Sequence, residues 1–330
     1  MHANNLTPFA RKSIANADTN TRDKILQYIN LSSAPNTKIA YTAHLSRFKL
    51  WLEERHFEFP CEPWHVAKYL IDEMERRIKQ EGKPYKRATL SAWMVAISLG
   101  HLTQGYDNPV NNIIVQKVYQ GLCNRYGVPQ IRAKALTTDE VLKMIGTRTD
   151  NLIKDHRDRA LIIVGFTGGF RTDELIRIEC QDIYPVRSEK SRGLVIRLLN
   201  SKTDQTGVGR EVFIPYAGKR LSPAKELESW LKKVKTGRVF RNVRKNGEMG
   251  RTLTGRAVID ILRDRAHRAR ITDWECVSGH SLRRGYVTAA HSLGFDNHAI
   301  AKQTGQTIRT VDRYIEDIEL FHNNPASKLF

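Results

Sequence analysis

The chain has 330 residues, enough for two domains with separate cores, and carries 54 lysines and arginines against 35 acidic residues, a formal net charge of +19. That surplus attracts polyanions, and nucleic acid is the commonest of them. No apolar run is long enough to span a bilayer, and neither a signal peptide nor a basic amphipathic anchor is legible, so composition argues against membrane classes and for a cytoplasmic protein.

Four cysteines, Cys61, Cys123, Cys180 and Cys276, are scattered without a Cys-x-x-Cys pair, as expected of free thiols in a reducing compartment. Cys276 precedes His280 by one helical repeat, a spacing that can put two metal ligands on one face. No second pair completes a tetrahedral set, so no metal is expected.

In chain order, residues 1–20 are polar and aperiodic and read as an N-terminal arm. A turn cluster, Ser32-Ser33-Ala34-Pro35-Asn36, precedes an apolar stripe of Tyr41, Leu45, Phe48 and Leu52 at helical spacing. A second helix is predicted from Trp64 to Ile78, ended by Gly82-Lys83-Pro84. Leu90, Trp93, Met94, Ile97 and Leu102 predict a third, and Ile114, Val118 and Leu122 a fourth, closed at Tyr126-Gly127. Residues 21–130 therefore read as an all-helical domain, with a linker from Val128 to Ala135.

Thr137-Thr138-Asp139-Glu140 has capping-box spacing and opens a new helix at the head of the second domain, 131–330. A buried helix is expected at Ala160–Phe166, then a turn at Thr167-Gly168-Gly169, then a helix from Arg171 through Leu175 and Ile178. Between about 180 and 216 the period changes to that of strands, at Leu194–Leu199 and Glu211–Pro215, joined by a hairpin tip that contains Lys202. From Pro223 the pattern is helical again. The fold class is therefore mainly α with a small antiparallel β-sheet.

Several residues have chemistry to offer. Arg171 follows a double glycine at a predicted helix start, where backbone can approach an anion closely and a forked, permanent charge can hold it. Glu174 lies one turn on and can orient it. A lysine at a hairpin tip, Lys202, can reach a leaving oxygen and donate a proton. His280 and Arg283 have i,i+3 spacing and can face one phosphate, whereas Arg284 cannot share that face. Tyr314 is a poor nucleophile at an ordinary pKa of about 10, and nearby arginines help a phenol ionise. A phosphate ester on it keeps the energy of the broken bond, so rejoining needs no ATP. Arg256, Arg263, His267 and Arg270 recur opposite Val258, Leu262, Ala266 and Ala269, as on a helix laid along a DNA groove or backbone. Taken singly, each of these patterns is matched by an ordinary structural role: a surface ion pair, a loop lysine, a core tyrosine, a solvated face.

Their order and spacing together resemble the tyrosine site-specific recombinases, the phage-integrase family. The resemblance rests on Gly169-Phe170-Arg171-Thr172-Asp173-Glu174-Leu175, Ser201-Lys202-Thr203-Asp204-Gln205, His280-Ser281-Leu282-Arg283-Arg284-Gly285 and Arg313-Tyr314-Ile315. It runs from about Lys134 to the C-terminus, and more loosely over the N-terminal half, where Thr37, Tyr41, Phe48 and Trp51 fit the usual first helix. It implies a two-domain DNA clamp, a helical core-binding domain plus a catalytic domain. It also implies cleavage through a 3′-phosphotyrosyl link on Tyr314, with Arg171 and Arg283 clamping the phosphate, Lys202 protonating the leaving 5′-oxygen, His280 assisting proton transfer and Glu174 supporting the arginines.

The implied partners are double-stranded DNA with specific recombination sites and a homotetramer on synapsed duplexes. No metal or nucleotide cofactor is implied, and accessory DNA-bending proteins are not readable from the residues. One position departs from the pattern: Gln306 stands where the family usually has His or Trp, and the Gln306-to-Tyr314 segment is one residue shorter than usual. An uncharged amide predicts weakened cleavage, and the shortening bears on where Tyr314 sits. The competing expectations are a non-cleaving DNA-binding factor on the same fold, and a strand-relaxing topoisomerase or hairpin telomere resolvase. The tail, Leu320 to Phe330, is expected either to dock on a neighbouring protomer or to pack on its own domain.

Overall fold

In the computed structural model the described residues are 18–31, 35–127, 133–189, 191–198, 209–216 and 221–322. The chain divides into two compact units, Met1–Gln130 and Ile131–Phe330.

The first unit is helical. Its elements are α1 (Thr19–Leu31), α2 (Pro35–Glu53), α3 (Pro63–Glu81), α4 (Arg87–Leu102) and α5 (Ile113–Tyr126). The core takes Phe48, Trp51 and Leu52 from α2, Val66, Tyr69, Leu70 and Met74 from α3, Leu90, Trp93 and Ile97 from α4, and Val115 from α5. Aromatic edges meet inside it, with Phe48 and Tyr69 at 5.0 Å and Tyr69 and Trp93 at 5.4 Å between centroids. Each such burial is worth roughly 1.5–3 kcal/mol. Of the predicted α5 stripe, Val118 and Leu122 pack on the core, but Ile114 is exposed and Val115 takes the buried position. The Asn112 side chain caps this helix by accepting from the Ile114 N–H. Helix α1 had no counterpart in the periodicity. Of the expected arm, 1–20, residues 1–17 lie outside the described residues, as do turn residues 32–34 and linker residues 128–132, while Thr19 and Asn20 begin α1.

The second unit opens with α6 (Thr138–Gly146), whose capping box is formed as the spacing requires: Glu140 N–H donates to Thr137 Oγ1 at 3.2 Å and Thr137 N–H to the Glu140 carboxylate at 2.9 Å. Then come α7 (Leu152–Thr167) and α8 (Thr172–Arg177). The buried stretch predicted at 160–166 is thus the second half of a longer helix, started by the Asn151 cap. A three-stranded antiparallel sheet follows, β1 (Ile183–Arg187), β2 (Arg192–Leu198) and β3 (Arg210–Pro215), in the order β1-β2-β3. The β2–β3 pairing runs from Gly193↔Pro215 to Leu198↔Arg210. Strand β1 escaped the sequence reading because Pro185 sits inside it, which an edge strand tolerates.

After α9 (Pro223–Val234), a two-stranded sheet of β4 (Arg241–Val243) and β5 (Met249–Thr252) interrupts what the sequence pattern read as continuous helix. The unit ends with α10 (Gly255–Arg268), α11 (Ser281–Ser292), α12 (Asn297–Thr304) and α13 (Ile308–His322). The main core joins α7, α9, α10 and the inner sheet face through Leu161, Ile163, Trp230, Ile196, Ile214 and Leu262. Trp230 is fully buried and its indole donates to the Val239 carbonyl at 2.8 Å. Trp230→Ala removes both the volume and that bond, a change that costs about 3–5 kcal/mol. A separate, smaller cluster of Val287, Ala290, Ile300, Ala301, Val311 and Ile315 binds α11, α12 and α13 together.

Candidate active site

The glycine turn after α7 sets the site. Gly169 has φ +55, a left-handed conformation that costs glycine little. Its carbonyl accepts from Arg283 Nη1 at 2.7 Å. Phe170 is buried as an anchor, and Arg171 follows as the N-cap of α8 rather than its first residue. Glu174 reaches back: it accepts from the Arg171 backbone N–H at 2.9 Å and pairs with the Arg171 guanidinium at 2.6 Å. Helix α8 is short and stops at Arg177, so Ile178 lies beyond it.

Glu174 holds more than Arg171. Its other oxygen pairs with Arg210 at 2.9 Å and lies 3.8 Å from Arg283, and the Glu174 and Arg283 side chains are each only 2% exposed. Three guanidiniums thus surround one carboxylate. Burial first, then the charges of Arg171 and Arg210, push the Arg283 guanidinium down to about 9, which still leaves it cationic at neutral pH. Arg283 Nη2 is buried with no hydrogen-bond partner among the described residues. An oxyanion delivered here meets an uncompensated pair of positive charges in a poorly hydrated setting, where electrostatic attraction is strong.

His280 and Arg283 are brought to the same place by the first turn of α11. His280 is the exposed N-cap of α11, and Arg283 points into the interior. Gly279 lets this segment lie directly on α8: a Cβ there would collide with Thr172 Oγ1. The imidazole is held below its ordinary value, mainly by lost hydration and secondarily by Arg283 and Arg171. It is therefore neutral near pH 7 and able to accept a proton. Cys276 belongs to a separate 3-10 turn, Trp274–Cys276, so it shares no helical face with His280.

Tyr314 is half-buried on α13, packed on the small cluster. It is close enough to Arg283 to act on that residue's charge. The Arg284 guanidinium lies 5.5 Å from its ring centroid and also donates to the Ala133 carbonyl. Arg284 thus lies against the tyrosine ring, while Arg283 is engaged by the Gly169 carbonyl and Glu174. Gln306 lies in the link between α12 and α13, with its side-chain oxygen buried and unpartnered among the described residues. Lys202 lies outside the described residues, as do 323–330 of the tail.

The proposed basic face of α10 is only partly formed. Val258, Leu262 and Ala266 are buried, as the period requires, and Arg256 is exposed in an ion pair with Asp260 at 3.0 Å. Arg263, however, turns back to donate to the Val277 carbonyl at 2.9 Å. Arg270 is not on the helix, which ends at Arg268, and it takes φ +55 in the following turn. A helical-wheel reading extends a period past the chain's actual stop. Arg210 was missed outright, since it opens a strand inside no recognisable motif.

No protein-family model matches the chain. The integrase/recombinase XerD homologue of Selenomonas ruminantium is 28% identical over 317 residues, which cover 93% of this chain and 89% of that protein. Over nearly its whole length the chain is similar to a tyrosine recombinase. The tyrosine recombinase XerC of Syntrophus aciditrophicus is 26% identical over 299 residues, 86% of this chain and 87% of its own length. Among solved structures, the XerH site-specific recombinase in a post-cleavage complex with a palindromic difH substrate shares the fold, at a TM-score of 0.59 and 18% identity over 87% of this chain and 78% of that one. Tyrosine recombinases are DNA strand-transferring enzymes that carry out site-specific recombination.

Proposed function

We propose that the chain cleaves and rejoins DNA at specific sites through a 3′-phosphotyrosyl intermediate on Tyr314, in the integration, excision or resolution of a mobile element. The observation that carries this reading is the over-charged cluster of Arg171, Arg210 and Arg283 around Glu174, with Tyr314 beside it.

In the proposed step the Tyr314 phenolic oxygen attacks phosphorus and the bond to the 5′-oxygen breaks. The phenol proton passes to neutral His280, and Lys202 protonates the departing oxygen. Arg171 and Arg283 hold the non-bridging oxygens, on which negative charge grows in the transition state, a term worth about a hundred- to a thousandfold in rate per donor. Gln306 adds a neutral amide near the same phosphate. A 5′-hydroxyl from a partner duplex then reverses the step, regaining the Tyr314 phenol. Exchange between two duplexes calls for four protomers, so a tetramer on synapsed DNA belongs to the proposal. Arg256, Arg263 and Arg270 are proposed as DNA contacts, with Arg256 and Arg270 exposed and Arg263 half-buried.

Covalent trapping tests the reading. Nicked suicide duplexes from the DNA flanking the gene are mixed with the wild type and with Tyr314→Phe, and SDS-resistant adducts are counted. The expected result is an adduct lost in the variant. Tight specific binding with no adduct in either protein defeats the proposal and leaves a DNA-binding factor on a recombinase fold.

A further inference from the structure

Arg210 is the member of the cluster that no motif announced. It is the first residue of β3, paired with Leu198 across the hairpin whose loop contains Lys202. Its guanidinium divides between two partners: one terminal nitrogen pairs with Glu174 at 2.9 Å, and the other donates to the Gln303 carbonyl at 2.7 Å. Its side chain lies against Gly305, the residue that ends α12. Gln303 itself is stitched to the same strand, donating to the Phe213 carbonyl at 2.9 Å.

We infer that Arg210 is a positioning residue of this site: it ties the carboxylate that orients Arg171 to the end of α12, from which Gln306 and the Tyr314 helix depart. The inference rests on the proposed cleavage reaction. A guanidinium is suited to this because its planar fork presents two donors at a fixed angle. Burying a third cation beside Arg171 and Arg283 costs hydration and adds repulsion. Stability is therefore a poor reason for it to be there, since an apolar residue fills such a space at lower cost. What an apolar residue cannot do is hold Glu174 and the α12 terminus in one frame. An error of about an ångström in such a frame is enough to cost roughly a hundredfold in rate.

The test is a double-mutant cycle with Glu174, since a residue that acts through another loses its effect once that partner is neutralised. Adduct formation is followed at saturating suicide duplex for Arg210→Ala and Arg210→Lys, alone and with Glu174→Gln. We expect duplex affinity within about threefold of wild type, a rate constant about 50-fold lower for Arg210→Ala, a smaller loss for Arg210→Lys, and less than about threefold further loss in the Glu174→Gln background. Independent, additive losses overturn the proposal. So does a fall in adduct amplitude at unchanged rate constant, which marks loss of folded protein only.

Calorimetric titration with inorganic phosphate reads the same cluster without DNA. It should weaken about fivefold on Arg210→Ala or Arg210→Lys, and not at all when Glu174→Gln is already present. Equal weakening in both backgrounds overturns the role of Arg210 by itself. Should Arg210→Ala not fold, the lysine variant decides. A wild type that forms no Tyr314-dependent adduct defeats the cleavage reading instead, and the phosphate titration still decides Arg210.

Discussion

Two groups of buried arginines lie within the 131–330 unit, and they are wired in opposite ways. Arg157 and Arg265 meet Asp155 and Asp158, two cations with two carboxylates, all about 2% exposed. Every arm of Arg265 is occupied: Nε by Asp158, Nη1 by Thr147, and Nη2 by Asp155 and Asp158. Arg157 donates Nε to Asp158 and Nη1 to the Arg241 carbonyl at 3.0 Å. This group is balanced in charge, with two cations to two carboxylates, and it joins α7 to α10. The group around Glu174 has three cations to one carboxylate, and Arg283 Nη2 is open. Burying charge is tolerable when it is paired and hydrogen-bonded. The first group meets that condition by itself, and the second meets it only when an anion arrives. Burial of arginine is common to both, so the charge balance is what separates a structural network from a binding site.

The same substitution in the two groups should therefore give opposite results. Arg265→Met strands Asp155 and Asp158 in the interior, and is expected to cost about 3–5 kcal/mol in urea unfolding. Arg283→Met removes an excess cation, so the unfolding midpoint should stay nearly unchanged or rise. Adduct formation should then fall by at least about a hundredfold. Equal destabilisation by both variants breaks the comparison.

Acid should separate the groups next. The Asp155 carboxyl is opposed by burial, but the Thr149 N–H and Arg265 outweigh this and hold it below its ordinary 3.8. A carboxylate with a depressed folded value contributes fully above the unfolded value, and the contribution fades as pH falls through the folded one. That network should hold the fold together down to below pH 3.8. His280 is shifted below its ordinary 6.5, so a His280 that takes the Tyr314 proton loses function only on the acid side of 6.5. Cleavage should fall with acid well before circular dichroism changes, and His280→Ala should remove that limb while lowering the plateau. Coincident loss of rate and structure breaks the argument.

How much of this was legible in the sequence depended on range. Arg171, Glu174, His280, Arg283 and Tyr314 could be singled out because each sits in a short local pattern, and the Thr137 capping box could be placed to the residue because a cap is a local device. Arg210 could not be, because its partner is Glu174, 36 residues away, and a buried ion pair across that distance leaves no periodic trace. Arg270 reads as a helix residue because nothing in the pattern marks the left-handed turn that follows α10. Strands β4 and β5 are too short and polar to alternate, so they vanished into a helical background.

The smallest expected effect bears on how each side of the site is supported. The arginines are placed by elements of the main core, whereas Tyr314 rides on α13 over the cluster of Val287, Ala290, Ile300, Ala301, Val311 and Ile315. A small satellite cluster opens at lower free energy than the core it adjoins. Ile315 is buried next to Tyr314 in sequence, so Ile315→Val deletes one methylene from that support, at about 0.5–1.5 kcal/mol. Global unfolding should register little of it. Amide exchange in α13 should speed up, and adduct formation should slow severalfold at unchanged duplex affinity. The like-sized Ile163→Val in the main core should do the reverse, lowering global stability while leaving the adduct rate alone. If Ile315→Val leaves α13 exchange and the adduct rate unchanged, then the tyrosine is held as firmly as the arginines that face it.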